Sequence, residues 1–319
     1  MTAIPDVCEL VTHSGSFHAD EVLATAILLD LFPRADVLRS RDPDLTSPAP
    51  GRIVYDVGGV YYPEAMMFDH HQPGAPCRQD GTPFSAFGLI WRQFGRAWLA
   101  RQLPSYAIED AHSRIDVQIV RVIDLVDNGI SSPGELSRYP QAMLSAAIAD
   151  FAPSWLDTGD VSMNEAFDKA VAFAATVLRN RAASIGASIE ADVHVREAAK
   201  KAGERPILVL ERGMPWHGPI LREPEFAHFK LVMHPRQGEE WIISTIPDAP
   251  GSYGTRLDLP ATWAGLEGQA LMQASGIEGA VFCHKKRFMA VASNGSVAGK
   301  MAIAALEIAA AEISISPET

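Results

Sequence analysis

The stretch Ala65-Met66-Met67-Phe68-Asp69-His70-His71 places a carboxylate and two imidazoles directly after an apolar run. A short apolar run of this kind predicts a buried strand over Ala65–Phe68. Removing a carboxylate and two imidazoles from water costs free energy unless each group finds a partner. Asp69, His70 and His71 therefore predict a polar site at the end of this strand.

Other strand-like runs in the first half of the chain also end near polar residues. The predicted elements are strands over 8–12, 35–39 and 53–57 and helices over 21–32, 86–102 and 108–126. This alternation predicts an α/β fold with a mostly parallel sheet covered by helices. Sites in such sheets gather beyond the C-terminal ends of the strands. His13, Asp56 and Asp69 each lie at or just beyond such an end.

The segment Thr12-His13-Ser14-Gly15-Ser16-Phe17-His18-Ala19-Asp20 offers two imidazoles and a carboxylate. In one interpretation this loop bends around an ion, and Gly15 allows the close turn. In the other, Asp20 is the N-cap of the following helix and both histidines lie in an exposed loop. Asp20 could serve both purposes, so the two interpretations stay open.

Two further aspartates have ordinary explanations when each is taken alone. Asp56 precedes Val57-Gly58-Gly59, a sequence that is typical of a turn. Asp127 precedes Asn128-Gly129, which predicts a helix end. A carboxylate there faces the negative end of the helix dipole, at a cost of about 0.3–1 kcal/mol. A neighbouring cation would remove that cost.

Taken together, the histidines and aspartates favour a metal site, because one site explains them all. Imidazole and carboxylate ligands suit Mn²⁺, Fe²⁺, Co²⁺ or Zn²⁺. Two such ions about 3.5–4 Å apart can share a carboxylate and activate water for attack at phosphorus. The three cysteines are far apart, which excludes a zinc site built from cysteines. The sequence predicts a metal-dependent hydrolase.

Length, charge and cysteine content limit the remaining choices. A chain of 319 residues with 47% hydrophobic content is long enough for two domains. Its net charge of -12 argues against broad binding to a polyanion, although ions could still hold a phosphate ester locally. Three cysteines without a Cys-x-x-Cys pair favour a reducing compartment. Without a basic signal-like start or a long apolar stretch, we expect a soluble, cytoplasmic protein with no membrane partner.

The character of the sequence changes after a long, Ala-rich helical pattern over residues 164–189. Strand-like runs punctuated by Pro and Gly follow, and a helix is predicted over 298–312. The strands are predicted over 206–210, 229–233, 241–245 and 280–283. We therefore expect a first domain over 1–190 and a second, smaller α/β domain over 191–319.

The order His-x(4)-His-x-Asp, Asp, Asp-His-His and Asp resembles the DHH phosphoesterase superfamily. Within it, the chain looks most like the melanocyte-proliferating-gene (Myg-type) family of metal-dependent exonucleases. The matching stretches are 12–21, 39–43, 56–59, 68–72, 127–130, 153–155 and 276–284. They span nearly the whole chain. The resemblance implies a DHH-type metal-binding phosphoesterase domain followed by a domain that clamps the substrate.

The resemblance also implies ligands for two divalent ions that share one bridging carboxylate, Asp56. One ion would be held by His13, His18 and Asp56, and the other by Asp20, Asp56, His70 and Asp127. Mn²⁺ is the expected metal, with Mg²⁺, Co²⁺ and Zn²⁺ as alternatives.

Four more residues receive roles from the same resemblance. His71 would lie beside the attacked phosphoryl group as an electrostatic or proton-transfer residue, and Asp69 would orient the imidazoles. Arg256 and His284 match substrate-clamping positions, although a surface arginine and a strand-end histidine are equally ordinary explanations. The family's Gly-Gly-Asn-like turn is replaced here by Phe288–Gly295, which leaves substrate preference open.

The expected reaction is hydrolysis of phosphodiester bonds in short or single-stranded nucleic acid, with RNA as the expected substrate. A small-molecule phosphatase or pyrophosphatase is the alternative enzyme, since no basic track for a long strand is visible. A noncatalytic regulator that binds metal or nucleotide is the third hypothesis, and the intact ligand set argues against it. No seam in the sequence indicates an oligomer, so a homodimer stays open.

Overall fold

The computed structural model describes residues 7–130, 143–156, 160–236 and 238–315. The chain divides into two compact units, Met1–Ala187 and Ser188–Thr319. One long helix, Asp160–Ala202, runs through this division, so the predicted boundary after residue 190 lies inside a helix. Across the described residues, no helix combines the length and the apolar content that crossing a membrane requires.

The first unit is built on a five-stranded sheet. Its strands are β1 (Glu9–Thr12), β2 (Asp36–Arg39), β3 (Arg52–Tyr55), β4 (Tyr61–Tyr62) and β5 (Met67–Phe68). The strand order is β2-β1-β3-β5-β4, and every neighbouring pair is parallel except β4 with β5. The C-terminal ends of four parallel strands therefore meet at one edge of the sheet.

Burial explains why these short runs form the centre of the sheet. Ile53, Val54 and Tyr55 of β3 are all fully buried, as expected for a parallel strand covered on both faces. The Tyr55 hydroxyl lies 2.6 Å from Oγ1 of Thr25, so the polar end of this buried ring has a partner.

Helices accompany the sheet in the predicted order, with one helix, Met143–Ala149, that the sequence analysis did not predict. They are α1 (Ala19–Leu31), α2 (Ala86–Leu99), α3 (Ile108–Ile115), α4 (Arg121–Asp127), α5 (Met143–Ala149) and α6 (Asp160–Ala202). The predicted helix over 108–126 is interrupted by a π-helical stretch, Asp116–Val120. The predicted strand over 65–68 is shortened to two residues, because a 3₁₀ turn ends at Met66 with φ +57°.

The second unit has a mixed sheet with helices. Its strands are β6 (Ile207–Val209), β7 (Leu231–Pro235), β8 (Trp241–Thr245), β9 (Ala280–Cys283) and β10 (Met289–Ala292). The helices are α7 (His217–Arg222), α8 (Gly268–Ser275) and α9 (Gly295–Ile315). The order is β6-β7-β8-β10-β9, and β6 with β7 is the parallel pair. The predicted α/β class is confirmed in both units.

The altered segment Phe288–Gly295 has an ordinary structural explanation. Half of it, Met289–Ala292, forms strand β10, which the sequence analysis did not predict. Asn294 follows the strand, and its Oδ1 atom accepts the backbone N–H of Val297 at 3.0 Å in the first turn of α9. The segment therefore makes a strand-to-helix connection.

Candidate metal centre

The C-terminal edge of the first sheet gathers the predicted ligands. His13 follows β1, Asp56 follows β3, and Asp69, His70 and His71 follow β5. These strands are parallel neighbours in the sheet, so residues distant in sequence come together there. A cavity of about 1360 Å³ opens at this edge, and all eight residues predicted for catalysis or metal binding in the first unit line it.

Asp56 lies at the centre of this cluster, buried between two imidazoles. Its Oδ2 atom is 3.2 Å from Nε2 of His13, and its Oδ1 atom is 3.2 Å from Nε2 of His70. Burial raises the pKa of the Asp56 carboxyl, but the hydrogen bonds with His13 and His70 outweigh it and lower the pKa to about 2. Asp56 is therefore an anion that two sides of the cluster share.

The backbone of Asp56 is unusual, with φ +59°. This left-handed conformation costs free energy for a residue with a side chain, and aspartate tolerates it better than most. Gly58 follows at φ +98°, and a side chain there would meet the carbonyl oxygen of Thr46 at 3.0 Å. The Gly58-Gly59 pair therefore belongs to a turn, which is the explanation that the sequence alone favoured. The same turn directs Asp56 into the cluster.

The loop after β1 leads into helix α1, whose N-terminus is capped. The N-cap of α1 is His18, and the carboxylate of Glu21 accepts the backbone N–H of His18 with both oxygens at 2.9 Å. The prediction of Asp20 as the N-cap is therefore wrong. Since the helix starts at Ala19, Asp20 lies within its first turn and points into the cluster instead.

Glu21 is a site residue that the sequence analysis did not single out. Its carboxylate is fully buried, and Oε1 lies 3.1 Å from Nε2 of His13. Burial lowers the pKa of the His13 imidazole. The hydrogen bonds to Asp56 and Glu21 act in the opposite direction and outweigh burial, so the pKa is raised to about 10. The spacing His18-x-x-Glu21 is that of a capping box, and this signal could have drawn attention to Glu21.

Asp20 is fully buried and has one oxygen without a partner. Oδ2 accepts the backbone N–H of Ala86 at 3.2 Å, whereas Oδ1 has no hydrogen-bond partner among the described residues. Burial and the nearby carboxylates of Asp56, Asp127 and Glu21 raise the pKa of Asp20 well above its usual value. A buried oxygen of this kind is a ready ligand for a cation.

His70 connects the strand end after β5 to helix α4. Its Nε2 atom lies 3.2 Å from Asp56, 3.4 Å from Oδ2 of Asp127 and 3.8 Å from Oδ2 of Asp20. Burial lowers the pKa of His70, and the surrounding carboxylates raise it above its usual value. One ring nitrogen thus faces three carboxylates, an arrangement that could hold a shared metal ion.

Asp69 has a different environment, because protein donors occupy its carboxylate. Oδ1 accepts from the backbone N–H of His70 at 2.7 Å and from that of His71 at 3.2 Å. Oδ2 accepts from the backbone N–H of Gly59 at 2.5 Å. The ring atom Nδ1 of His71 lies 2.8 Å from Oδ1 of Asp69, and 62% of the His71 side chain is exposed.

A buried ion pair between Arg78 and Asp124 lies next to Asp20 at the start of α2. Asp124 is fully buried in α4, and its Oδ1 atom accepts the N–H of Ser85 at 3.0 Å and the Ser85 hydroxyl at 2.7 Å. Arg78 donates to Oδ2 of Asp124 at 2.7 Å and holds Asp116 with two further bonds. Ser85 and Ala86 are adjacent, so the start of α2 binds Asp124 with one residue and Asp20 with the next.

The residues of the cluster fit a metal ion. In four groups of three, one ligand atom from each residue lies within 4.8 Å of the others. These groups are His13, His18 and Glu21; Asp56, His70 and His71; His18, Asp20 and Asp127; and Asp20, Glu21 and Asp56. Three buried carboxylates this close repel one another, and a bound cation would reverse that repulsion.

The two predicted substrate residues lie in the second unit. The guanidinium of Arg256 donates to three backbone carbonyls, those of Ile220, Phe226 and Phe229, at 2.9–3.1 Å. His284 lies half-buried after β9, and its Nδ1 atom accepts the N–H of Lys286 at 3.1 Å. Their roles in substrate binding stay predictions, and Arg256 also has a clear structural role.

Comparison with known proteins identifies the family. The family model MYG1_exonuc, described as "Uncharacterised protein family (UPF0160)", matches residues 9–306. The chain is 33% identical to the human MYG1 exonuclease, covering 87% of this chain and 80% of that protein. It is 32% identical to an MYG1 protein of Schizosaccharomyces pombe, covering 89% and 93%.

Among solved structures, RecJ of Thermus thermophilus with Mn²⁺ is 14% identical, covering 95% of this chain and 52% of that one. Its TM-score of 0.28 is too low to bear on fold or activity. The match of sequence along most of the chain confirms the family that the sequence predicted and, with it, the nuclease class: this protein belongs to the MYG1 exonuclease family.

Proposed function

We propose that this protein is an exonuclease that hydrolyses phosphodiester bonds of short or single-stranded nucleic acid, with RNA as its main substrate. The observation that carries the proposal is the position of Asp56, a buried anion between His13 and His70. An anion in that position suits a bridge between two ions. The name of the human and mouse relatives, MYG1 exonuclease, supports the direction of the proposal.

The proposed centre holds two divalent ions, with Mn²⁺ as the expected metal. His13, His18 and Asp56 would hold one, and Asp20, Asp56, His70 and Asp127 the other. The contact of Glu21 with His13 adds Glu21 to the first group. When bound, such ions lower the pKa of water and neutralise charge on a phosphoryl group.

The protein's own proton-transfer group in this proposal is His71. Since Nδ1 of His71 contacts Asp69, the proton on Nδ1 is held there and Nε2 is the nitrogen left for substrate. The exposed ring can reach the leaving oxygen and donate a proton to it from Nε2. Asp69 orients the ring through this contact.

A small phosphoester is the second candidate substrate, favoured by the net charge of -12. An acidic protein repels a long polyanion, whereas a small ester needs only the local charge of the ions. We also propose a cytoplasmic location, since Cys8, Cys77 and Cys283 are all free thiols.

The test is turnover with defined substrates. The purified protein, loaded with Mn²⁺, is incubated with end-labelled single-stranded RNA, single-stranded DNA and pyrophosphate, with and without a chelator. We expect stepwise shortening of RNA that stops when the chelator is added. Hydrolysis of pyrophosphate alone would favour the small-molecule enzyme. Mn²⁺ binding without turnover of any phosphoester would support the noncatalytic regulator and contradict our proposal.

A further inference from the structure

All four parallel strand ends of the first sheet carry polar residues, and three of them deliver the predicted ligands. The fourth, at the end of β2, is followed by Ser40 and Arg41. The backbone N–H of Ser40 donates to the carbonyl of Thr12 at 2.8 Å, which fixes the chain after β2 beside the chain after β1. Arg41 therefore lies next to the loop that begins with His13.

One backbone carbonyl joins Arg41 to the metal centre. The oxygen of Ser14 lies 3.2 Å from Nδ1 of His13 and accepts from Nε of Arg41 at 3.3 Å. The first contact favours a proton on Nδ1 and turns Nε2 of His13 towards Asp56 and Glu21. The second anchors the arginine and leaves both of its terminal nitrogens to bind something else.

Arg41 differs from the neighbouring Arg39, which is used within the fold. Arg39 donates to the carbonyl of Gly15 at 2.6 Å and stacks on the ring of Phe167 at 4.5 Å. Arg41 is exposed, and the structure records no other hydrogen bond or ion pair for it within the described residues. Its guanidinium is therefore available to a ligand.

The charge around the cavity indicates what this ligand is. Among the described residues that line the cavity, Arg41 is the single lysine or arginine beside four aspartates. Four carboxylates would offset much of the charge of two divalent ions, so a phosphodiester anion at this site would gain from one further positive group. A guanidinium presents two parallel donors that match two phosphate oxygens.

We propose that Arg41 binds the non-bridging oxygens of the phosphoryl group under attack and stabilises the charge that develops on them. The inference rests on the proposed function, because it names the contact that this site makes with its substrate. No assignment of Arg41 followed from the sequence, since strand β2 carried no predicted ligand.

The test compares Arg41→Ala, Arg41→Lys and a control, Arg34→Ala. Arg34 is a matched control because it precedes the same strand, is exposed, and lies at the opposite edge of the sheet. Each protein is saturated with Mn²⁺ and assayed with bis(p-nitrophenyl) phosphate, a diester without a base. Mn²⁺ affinity and binding of inorganic phosphate to the Mn²⁺-loaded protein are measured by calorimetry.

We expect Arg41→Ala to lower kcat/KM by about 100-fold, as removal of one transition-state donor does. Phosphate binding should weaken by about 10-fold, because the anion loses a charge-assisted hydrogen bond. Mn²⁺ affinity should stay within about twofold, because Arg41 is not a ligand. Arg41→Lys should retain part of the activity, and added guanidinium should partly restore Arg41→Ala.

Unchanged kcat/KM and unchanged phosphate affinity in Arg41→Ala would overturn the inference. So would an equal loss in Arg34→Ala, because the effect would then be one of general charge. If the wild-type protein hydrolyses no phosphoester, the proposed function fails, and phosphate affinity alone decides the role of Arg41. If Arg41→Ala does not fold, Arg41→Lys decides it, because the lysine lacks the planar pair of donors.

Discussion

The Nδ1 atom of His71 lies 2.8 Å from Oδ1 of Asp69, and the same oxygen accepts the backbone N–H groups of His70 and His71. One carboxylate oxygen therefore positions both histidines that follow it. We infer that Asp69 acts on the reaction through His71 and does not bind an ion directly.

Asp69→Asn tests this relationship. The amide would keep the size of the side chain but place either a dipole or an N–H opposite Nδ1 of His71. We expect kcat to fall by about 10- to 100-fold while Mn²⁺ affinity changes little, as for residues that orient a functional group. A variant with full kcat would contradict the role of Asp69.

Asp56→Asn removes the anion shared by the two halves of the cluster. We expect Mn²⁺ binding to weaken by at least about 100-fold and turnover to become unmeasurable. Residues that only orient a metal ligand typically cost less when they are replaced. Calorimetry with Mn²⁺ and an assay of phosphodiester hydrolysis measure both effects. Asp36→Asn, an exposed aspartate at the start of β2, is the control and should retain both properties. Retained turnover in Asp56→Asn would contradict the bridging assignment.

Asp124 gives a pH dependence of stability with a defined sign. Burial raises the pKa of its carboxyl to about 6, although Ser85 and Arg78 act against this. The folded protein then keeps a proton that the unfolded chain loses at the ordinary value of 3.8. The free energy of unfolding therefore falls as pH rises through this window, by roughly 3 kcal/mol for this group.

Asp124→Asn should remove this dependence. Urea unfolding of the metal-free protein at several pH values between about 4 and 7 gives the difference between wild type and variant. We expect that difference to move in favour of the variant as pH rises. A movement in the opposite direction would mean that pairing with Arg78 outweighs the cost of burial.

Gly88 allows α2 to pack against Asp124. A methyl group on Gly88 would lie 2.8 Å from Oδ2 of Asp124 and 2.8 Å from Cδ1 of Phe84. We expect Gly88→Ala to lower the free energy of unfolding by about 1–3 kcal/mol, because the surrounding groups must move. Gly299→Ala is the matched control in helix α9, where nothing lies within 4 Å. It should be neutral or stabilising by up to about 1 kcal/mol.

Arg256 and His284 can be separated by measuring stability and KM together. Arg256→Ala would leave three backbone carbonyls without their donor, so we expect the free energy of unfolding to fall by about 2–5 kcal/mol. His284→Ala should leave stability nearly unchanged and raise KM for the oligonucleotide. Arg256→Ala with normal stability and a raised KM would instead favour the substrate clamp.

Local pattern predicted much of the fold of the first unit. Ile53-Val54-Tyr55 is a continuous apolar run, and such a run in alternation with helices is sufficient to predict a buried parallel strand. Ligands at strand ends followed from the same rule. The π-helical stretch Asp116–Val120 and the shortened β5 were not predicted, because both depend on how neighbouring elements pack.

The second unit was predicted less completely. Strand β10 was missed because its sequence Met289-Ala290-Val291-Ala292 is short and rich in small residues. Its place between β8 and β9 comes from pairing with strands distant in sequence.

The sequence by itself pointed to the eight predicted residues that line the cavity, because imidazoles and carboxylates at the ends of apolar runs are a local property. Only the tertiary structure decided which partners surround Asp69, Glu21 and Arg41. Backbone N–H groups occupy Asp69, His13 contacts Glu21, and the carbonyl of Ser14 accepts from Arg41. Arg78 and Asp124 illustrate the reason: they form an ion pair across 46 residues of sequence. A hydrogen bond depends on the distance between two atoms, and that distance is set by the packing of elements that the sequence keeps far apart.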